Sequence, residues 1–289
     1  MNGIDLINPH EYHEVSTEMR GFFCSEGLIE VPVQHRLSIL AACEDPTTLS
    51  TFDYSGQVWP LPQTGQMWLE YEILKNSSVP GYFCFSTSYR SEPNPVPGRH
   101  NLIFPMIEFE IPKNMNGLVE FVERLLDHFG YNNSTTDYPR GNYLDIAAKY
   151  ETKEIGHEHE MRLYEDYGNV FLLQNFPEHT SPFWNMKRNA DGTACKMDII
   201  MSGIETIGSA ERSTDVQSMT DMFYNISNGL YATTLNSRFG SSRVKKEFEE
   251  FINSEMVVRS GGGIGVTRLI RSLKMSKLMV DADTRSDTS

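Results

Sequence analysis

Between Tyr89 and Ile111 the chain reads YRSEPNPVPGRHNLIFPMIEFEI, two runs suited to a sheet separated by a segment that is not. Pro93, Pro95 and Pro97 lack the ladder donor and Gly98 favours a turn, so the flanking runs pair, antiparallel, as a long hairpin. Along its second arm Ile103, Ile107, Phe109 and Ile111 share one face; Leu102, Phe104, Met106, Glu108 and Glu110 share the other. One face is apolar, whereas the other mixes an aromatic with acids. Phe104 and Glu108 are about 13 Å apart at roughly 3.3 Å per residue, about the reach of a nucleotide from base to phosphate. Arg90, Arg99 and His100 gather positive charge towards the loop.

A hairpin of this length needs neighbours. Segments 80–90, 101–111, 169–174, 196–208 and 256–266 have strand character, and several follow one another without a long helix between them. Helices are expected from Pro9 to about Cys24, ahead of a short strand around Leu28 to Pro32, and over 117–129, where GLVEFVERLLDHF alternates apolar and charged residues at helical spacing. The fold class expected is α+β, an antiparallel β-sheet flanked by helices. No linker divides the chain, so residues 1–277 are expected to form one domain and 278–289, with the polar run DADTRSDTS, a disordered tail.

The 289 residues suffice for a sizeable core, and no run of about eighteen apolar residues marks a membrane span. With no secretion signal in MNGIDLINPHEYHEV, the expected compartment is cytoplasmic. Cys24, Cys43, Cys84 and Cys195 form no CxxC pair and are expected to be reduced thiols. A formal net charge of −14 opposes a general nucleic-acid surface. The HEHE run at 157–160 offers metal-ligating side chains but lies in a polar helical segment, where a solvated face is expected.

Near the C-terminus SGGGIGVTRLIRSLKM runs from a glycine-rich strand into a helix over Val266 to Met275. Together with YRSE…GRHNLIFPMIEFE and with GLIEVP at 27–32, it resembles the signature motifs of class II aminoacyl-tRNA synthetases, above all the aspartate, asparagine and lysine subgroup. DIIMSGIETIGSAER and PQTGQMWLE resemble further segments of that family, so the likeness spans about residues 10–277. It implies ATP and Mg²⁺ as cofactors and a homodimer formed around residues 10–35. It also implies roles: Arg90 on the α-phosphate, Arg99 and His100 towards the γ-phosphate, and adenine between Phe104 and Arg268. Glu92 would contact adenine or orient the loop, and Asp198 with Glu205 would hold magnesium. Gln66, Glu108 and Arg212 would bind the amino acid. These residue types suit the task, because arginine pairs with phosphate and stacks on aromatic faces while carboxylates favour hard cations.

Leu69, Met106 and Glu108 resemble the asparaginyl form, in which Leu69 stands where aspartyl enzymes carry a lysine. Glu108 as acceptor and Arg212 as donor suit a carboxamide, and equally the α-ammonium and α-carboxylate of aspartate bound the other way round. The second pose is the chemistry of an ammonia-dependent asparagine synthetase. Because the core motifs begin close to the N-terminus and the chain is acidic, transfer to ammonia or a small amine is expected ahead of transfer to tRNA. The alternatives are a stand-alone enzyme of the asparaginyl- or aspartyl-tRNA synthetase type that charges tRNA or a protein, and a non-catalytic regulatory paralogue. Ile103 and Thr267 replace glutamates of the family pattern, and the usual closing Arg-Pro segment is missing.

Overall fold

A computed structural model describes residues 7–33, 37–39, 46–95, 101–131 and 137–280. Arg99, His100 and Cys43 lie outside these residues, as does 281–289 of the expected tail. The N-terminal helix α1 (Pro9–Ser25) starts where the Asn8 side chain accepts from the amides of His10 and Glu11, and proline occupies its first turn. It leads into β1 (Ile29–Glu30), the small hairpin of β2 (Thr51–Tyr54) and β3 (Gln57–Pro60), helix α2 (Gln66–Lys75), and then β4 (Tyr82–Tyr89) and β5 (Ile103–Ile111). Next come α3 (Met115–His128), β6 (Arg140–Asn142), α4 (Tyr143–Lys149), α5 (His157–Tyr167) and β7 (Val170–Phe176). The chain continues through β8 (Ala194–Met201), β9 (Ile204–Glu211), α6 (Val216–Asn225), α7 (Leu230–Phe239) and α8 (Ser241–Ile252), and closes with β10 (Ser260–Gly265) and α9 (Val266–Met275).

The fold is α+β, as expected. One eight-stranded sheet has the order β1-β4-β5-β10-β9-β8-β7-β6. Its interior pairs are antiparallel and only the outermost strands, β1 on β4 and β6 on β7, pair parallel. The segment expected as strand over 196–208 is two strands, β8 and β9, turned at Ser202 and Gly203. Both turn residues have positive φ (49° and 80°), the requirement of a two-residue turn that matches strand twist.

On one face, α1, α3 and α9 bury Phe23, Phe121, Val122 and Leu269 against Phe83, Ile107, Phe109 and Ile264. The apolar odd-numbered face of β5 belongs to this core, although Ile103 at its start is 63% exposed. A second core joins α6, α7 and α8 through Trp184, Phe223, Leu235 and Phe248. Packing continues past the expected boundary at 277: Met279 is buried in the first core and Leu278 lies against it. No helix among the described residues is long and apolar enough to cross a membrane.

Candidate active site

Between the polar face of the sheet and the second helical core lies a cavity of about 550 Å³, within the usual range for small-molecule sites. Arg90, Glu92, Phe104, Met106, Glu108, Gln66, Glu205, Arg212, Thr267 and Arg268 line it, as does Lys196, to which the sequence reading gave no role. Asp198 is absent from the lining but buried directly behind Lys196, whose ammonium bonds its Oδ2. Guanidinium groups from positions 90, 212 and 268 thus reach one chamber.

The sheet explains this convergence. β10 lies between β5 and β9, with Gly261 opposite Glu110, Gly263 opposite Glu108, and Gly262 opposite Ser209. A Cβ on Gly261 would overlap the Glu110 carboxylate and the Phe109 carbonyl. The glycine run is therefore needed so that charged side chains of β5 can lie flat across β10.

Glu108 is fully buried. Its carboxylate accepts from Thr64 Oγ1, Ser86 Oγ and the amide of Gly65, the last at 2.7 Å. Burial raises its pKa, while these three donors and the charge of Arg90 hold it down. Arg90 follows the end of β4, tied by its amide to Leu102 O at 2.8 Å, and its guanidinium lies 5.7 Å from the Phe104 ring centre. β4 ends at Tyr89, so Glu92 sits in the loop that follows it rather than on the strand.

Arg212 extends from the end of β9 and is 1% exposed. Its Nε and Nη2 donate to Glu110 at 3.2 and 3.1 Å, and Nη2 also donates to Gln66 Oε1. Glu70 adds a second carboxylate at 3.7 Å, itself bound to Arg259. Gln66 is held in turn by the carbonyls of Phe109 and Gly262, so within the protein it positions Arg212. Burial pushes the Glu110 carboxyl up to about 7, against the pull of Arg212. Leu69, at the position where aspartyl enzymes carry a lysine, packs with Ile73, Tyr82 and Cys84 and is not among the lining residues. Its neighbours on α2, Gln66 and Glu70, carry that helix's polar influence on the site.

On the opposite wall Arg268, in the first turn of α9, donates Nη1 to Glu205 O at 2.7 Å. Asp198 is pushed up to about 7 by burial, held back by Lys196, and raised again by Glu205 and Glu160. Glu160 corrects the reading of HEHE as a solvated face: it is buried, and its carboxylate accepts from Glu205 N at 3.2 Å. His157 is exposed, and His159 Nδ1 accepts from Gly156 N at 3.0 Å. Among the described residues no group of three or more His, Cys, Asp or Glu is arranged to hold a metal ion.

Missed from the sequence were Glu110, Glu70, Lys196 and Arg259. Lys196 had a local signal, since it lies two residues before Asp198 and so on the same face of β8. Glu70 and Arg259 are 189 positions apart, and only the fold brings them together.

Residues 11–281 match the family described as tRNA synthetases class II (D, K and N), and the chain belongs to it. Among curated proteins, the asparagine–tRNA ligase of Desulforamulus reducens is 26% identical over 266 residues, 80% of this chain and 57% of that protein. The asparagine–tRNA ligase of Pelotomaculum thermopropionicum is 26% identical over 172 residues, 50% of this chain and 39% of that one. The chain thus spans little more than half the length of the former. The asparaginyl-tRNA synthetase of Pyrococcus horikoshii, complexed with asparaginyl-adenylate, superposes with a TM-score of 0.71 at 18% identity, covering 91% of this chain and 64% of that one. A putative aspartyl-tRNA synthetase from Leishmania major gives 0.69 at 16% identity, covering 91% and 61%. At such identities these superpositions establish the shared fold. The relatives named here are tRNA ligases, and none of them is an ammonia-dependent synthetase.

Proposed function

We propose that the cavity binds ATP and an asparagine-type amino acid and joins them as an aminoacyl-adenylate. The convergence of Arg90, Arg268, Glu108 and Arg212 on one chamber carries this reading. A carboxylate oxygen of the amino acid attacks the α-phosphorus, the bond to the β-phosphate oxygen breaks, and pyrophosphate leaves with the electron pair. Arg90 would neutralise charge that grows on the α-phosphate, with the base against Phe104 and Arg268. Glu108, an acceptor fixed by three donors, would take the substrate's ammonium or carboxamide N–H groups. Arg212 would donate to the substrate from a position set by Glu110 and Gln66. Since Glu110 and Glu70 already offset its charge, the end of the pocket suits an uncharged side chain better than an anionic one.

Magnesium fits the acidic wall in one respect. Asp198 Oδ1 is buried without a hydrogen-bond partner, and Glu205 is near enough to raise the Asp198 pKa. A magnesium ion keeps several waters and takes phosphate oxygens, so two carboxylates suffice from the protein. Bound there, it would neutralise phosphate charge; Asp198 and Glu205 would hold it.

For the acceptor, the asparagine–tRNA ligases among the relatives support the terminal hydroxyl of a tRNA, whereas the acidity of the chain supports a small amine. The two readings separate on AMP release. ATP–pyrophosphate exchange with asparagine in the absence of RNA tests the adenylation step; no exchange with asparagine or aspartate, and no ATP-induced rise in melting temperature, would overturn it. Further AMP release on adding tRNA supports the first acceptor, and release on adding ammonium alone supports the second. A homodimer through α1 and β1 is part of the same proposal, to be checked by sedimentation.

A further inference from the structure

Lys196 and Asp198 alternate along β8 on one face, and the sheet bulges immediately afterwards, between Ile199 and Ile200. The Lys196 ammonium is 2.5 Å from Asp198 Oδ2, with the two side chains 16% and 8% exposed. It also lies 3.8 Å from the centre of the Phe176 ring. An ammonium held on one side by a carboxylate and on the other by an aromatic face is a well-stabilised cation. Asp198 is surrounded unevenly: Lys196 is the cation beside it, while Glu205 and Glu160 are the acids that act on it. Of its two oxygens, Oδ2 is taken by the lysine and Oδ1 has no partner.

We propose that Lys196 is a tethered counter-ion that occupies the Asp198 end of the carboxylate pair and opposes a divalent cation there until a polyphosphate arrives to balance both charges. The inference rests on the assignment of Asp198 and Glu205 as metal ligands under the proposed function. A divalent ion at Oδ1 would sit a few Å from the ammonium, and in a poorly solvated wall such repulsion is weakly screened. The lysine must then give way or be compensated. Its flexible four-carbon stem allows it to turn from Asp198 into the cavity it already lines, where a phosphate oxygen would receive it. In the free protein the lysine thereby offsets the Asp198 charge, and metal entry is coupled to nucleotide entry.

The test is a titration of the full chain with Mn²⁺ alone, followed by water-proton relaxation, in the absence of nucleotide. Lys196→Met and Lys196→Gln should each bind Mn²⁺ at least about tenfold more tightly than the unaltered protein, because the competing charge is gone. Lys196→Arg keeps the charge and should remain weak. Adding Asp198→Asn to Lys196→Met should abolish the gain. Circular dichroism and melting temperature establish that each variant is folded, and either neutral variant alone suffices. Unchanged or weaker Mn²⁺ binding in the neutral variants overturns the proposal, as does equal tightening in Lys196→Arg or a gain that survives loss of Asp198. With no nucleotide present, the titration gives its answer even if the protein fails to exchange pyrophosphate.

Discussion

Arg259 grips Glu70 through Nε at 3.1 Å and Nη2 at 2.8 Å, and neither side chain has exposed surface. The other Glu70 oxygen accepts from Asn185 at 2.7 Å and lies 3.7 Å from Arg212. With Glu110, these residues make a cluster of two guanidinium groups and two carboxylates below the cavity, formally neutral. Such a cluster is weak as a source of stability but strict about composition, because any one member removed leaves an opposite charge uncompensated in the interior.

Glu70→Gln keeps the shape and removes one charge, leaving Arg259 buried without its ion partner. The expected loss is about 3–5 kcal/mol of unfolding free energy, read from urea denaturation. A loss below about 1 kcal/mol would mean that water or a neighbouring acid compensates Arg259, contrary to the observed burial.

The glycines of β10 predict a graded pair. An added Cβ at Gly261 meets backbone and a fixed carboxylate, whereas at Gly263 the close neighbour, at 2.8 Å, is the flexible end of Met106. Gly261→Ala should therefore destabilise by about 3 kcal/mol or more, and Gly263→Ala by roughly 1 kcal/mol. Thermal melting of the two variants side by side checks the order; a reversal would mean that the strand shifts rather than the side chains.

The fold was legible because its signals are local. Apolar periodicity marked α1 and α3, the glycine-to-helix transition marked β10 and α9, and prolines between two sheet-like runs marked the β4–β5 hairpin. The turn at Ser202 and Gly203 was not separated from its flanking strands, because it interrupts the apolar character of 196–208 for only two residues. The candidate site and the charges buried around it were legible only in part. Residues on strand faces, such as Phe104 and Glu108, follow from alternation, but Glu70, Arg259 and Glu160 are buried by elements remote in sequence. In isolation each reads as a solvated charge. Leu69 is the converse case: Glu70, the next residue along α2, is turned from it by about 100°, so Leu69 packs into the core while Glu70 reaches Arg212.

Thiol chemistry should divide the cysteines. Cys24 is exposed, while Cys84 and Cys195 are buried. Burial, with Glu108 and Glu30 nearby, raises the Cys84 thiol well above its ordinary value, and burial with Glu211 raises Cys195. Alkylation requires the thiolate, so in a Cys43→Ser background iodoacetamide at about pH 8 should modify Cys24 first and the other two only after unfolding. Mass spectrometry of peptides against time gives the order, and early labelling of Cys84 would contradict its placement beneath α2.

Glu108 gives the pH dependence its sign. Burial raises its pKa above 4.5 in the folded protein, so folding favours the protonated acid. Between the unfolded value and the raised one the native state binds the extra proton, and this group's contribution to stability falls as pH rises through that window. Recognition runs the other way, because the ionised carboxylate is the form that accepts from a substrate ammonium or carboxamide. As pH falls, Glu108 should protonate earlier than an ordinary glutamate, and the KM for the amino acid in pyrophosphate exchange should rise on the acidic side, at a pH above 4.5. Glu108→Gln should raise KM at every pH and remove that acidic limb, while the KM for ATP changes little. If the limb persists unchanged in Glu108→Gln, another group titrates in the pocket and Glu108 does not contact the amino acid.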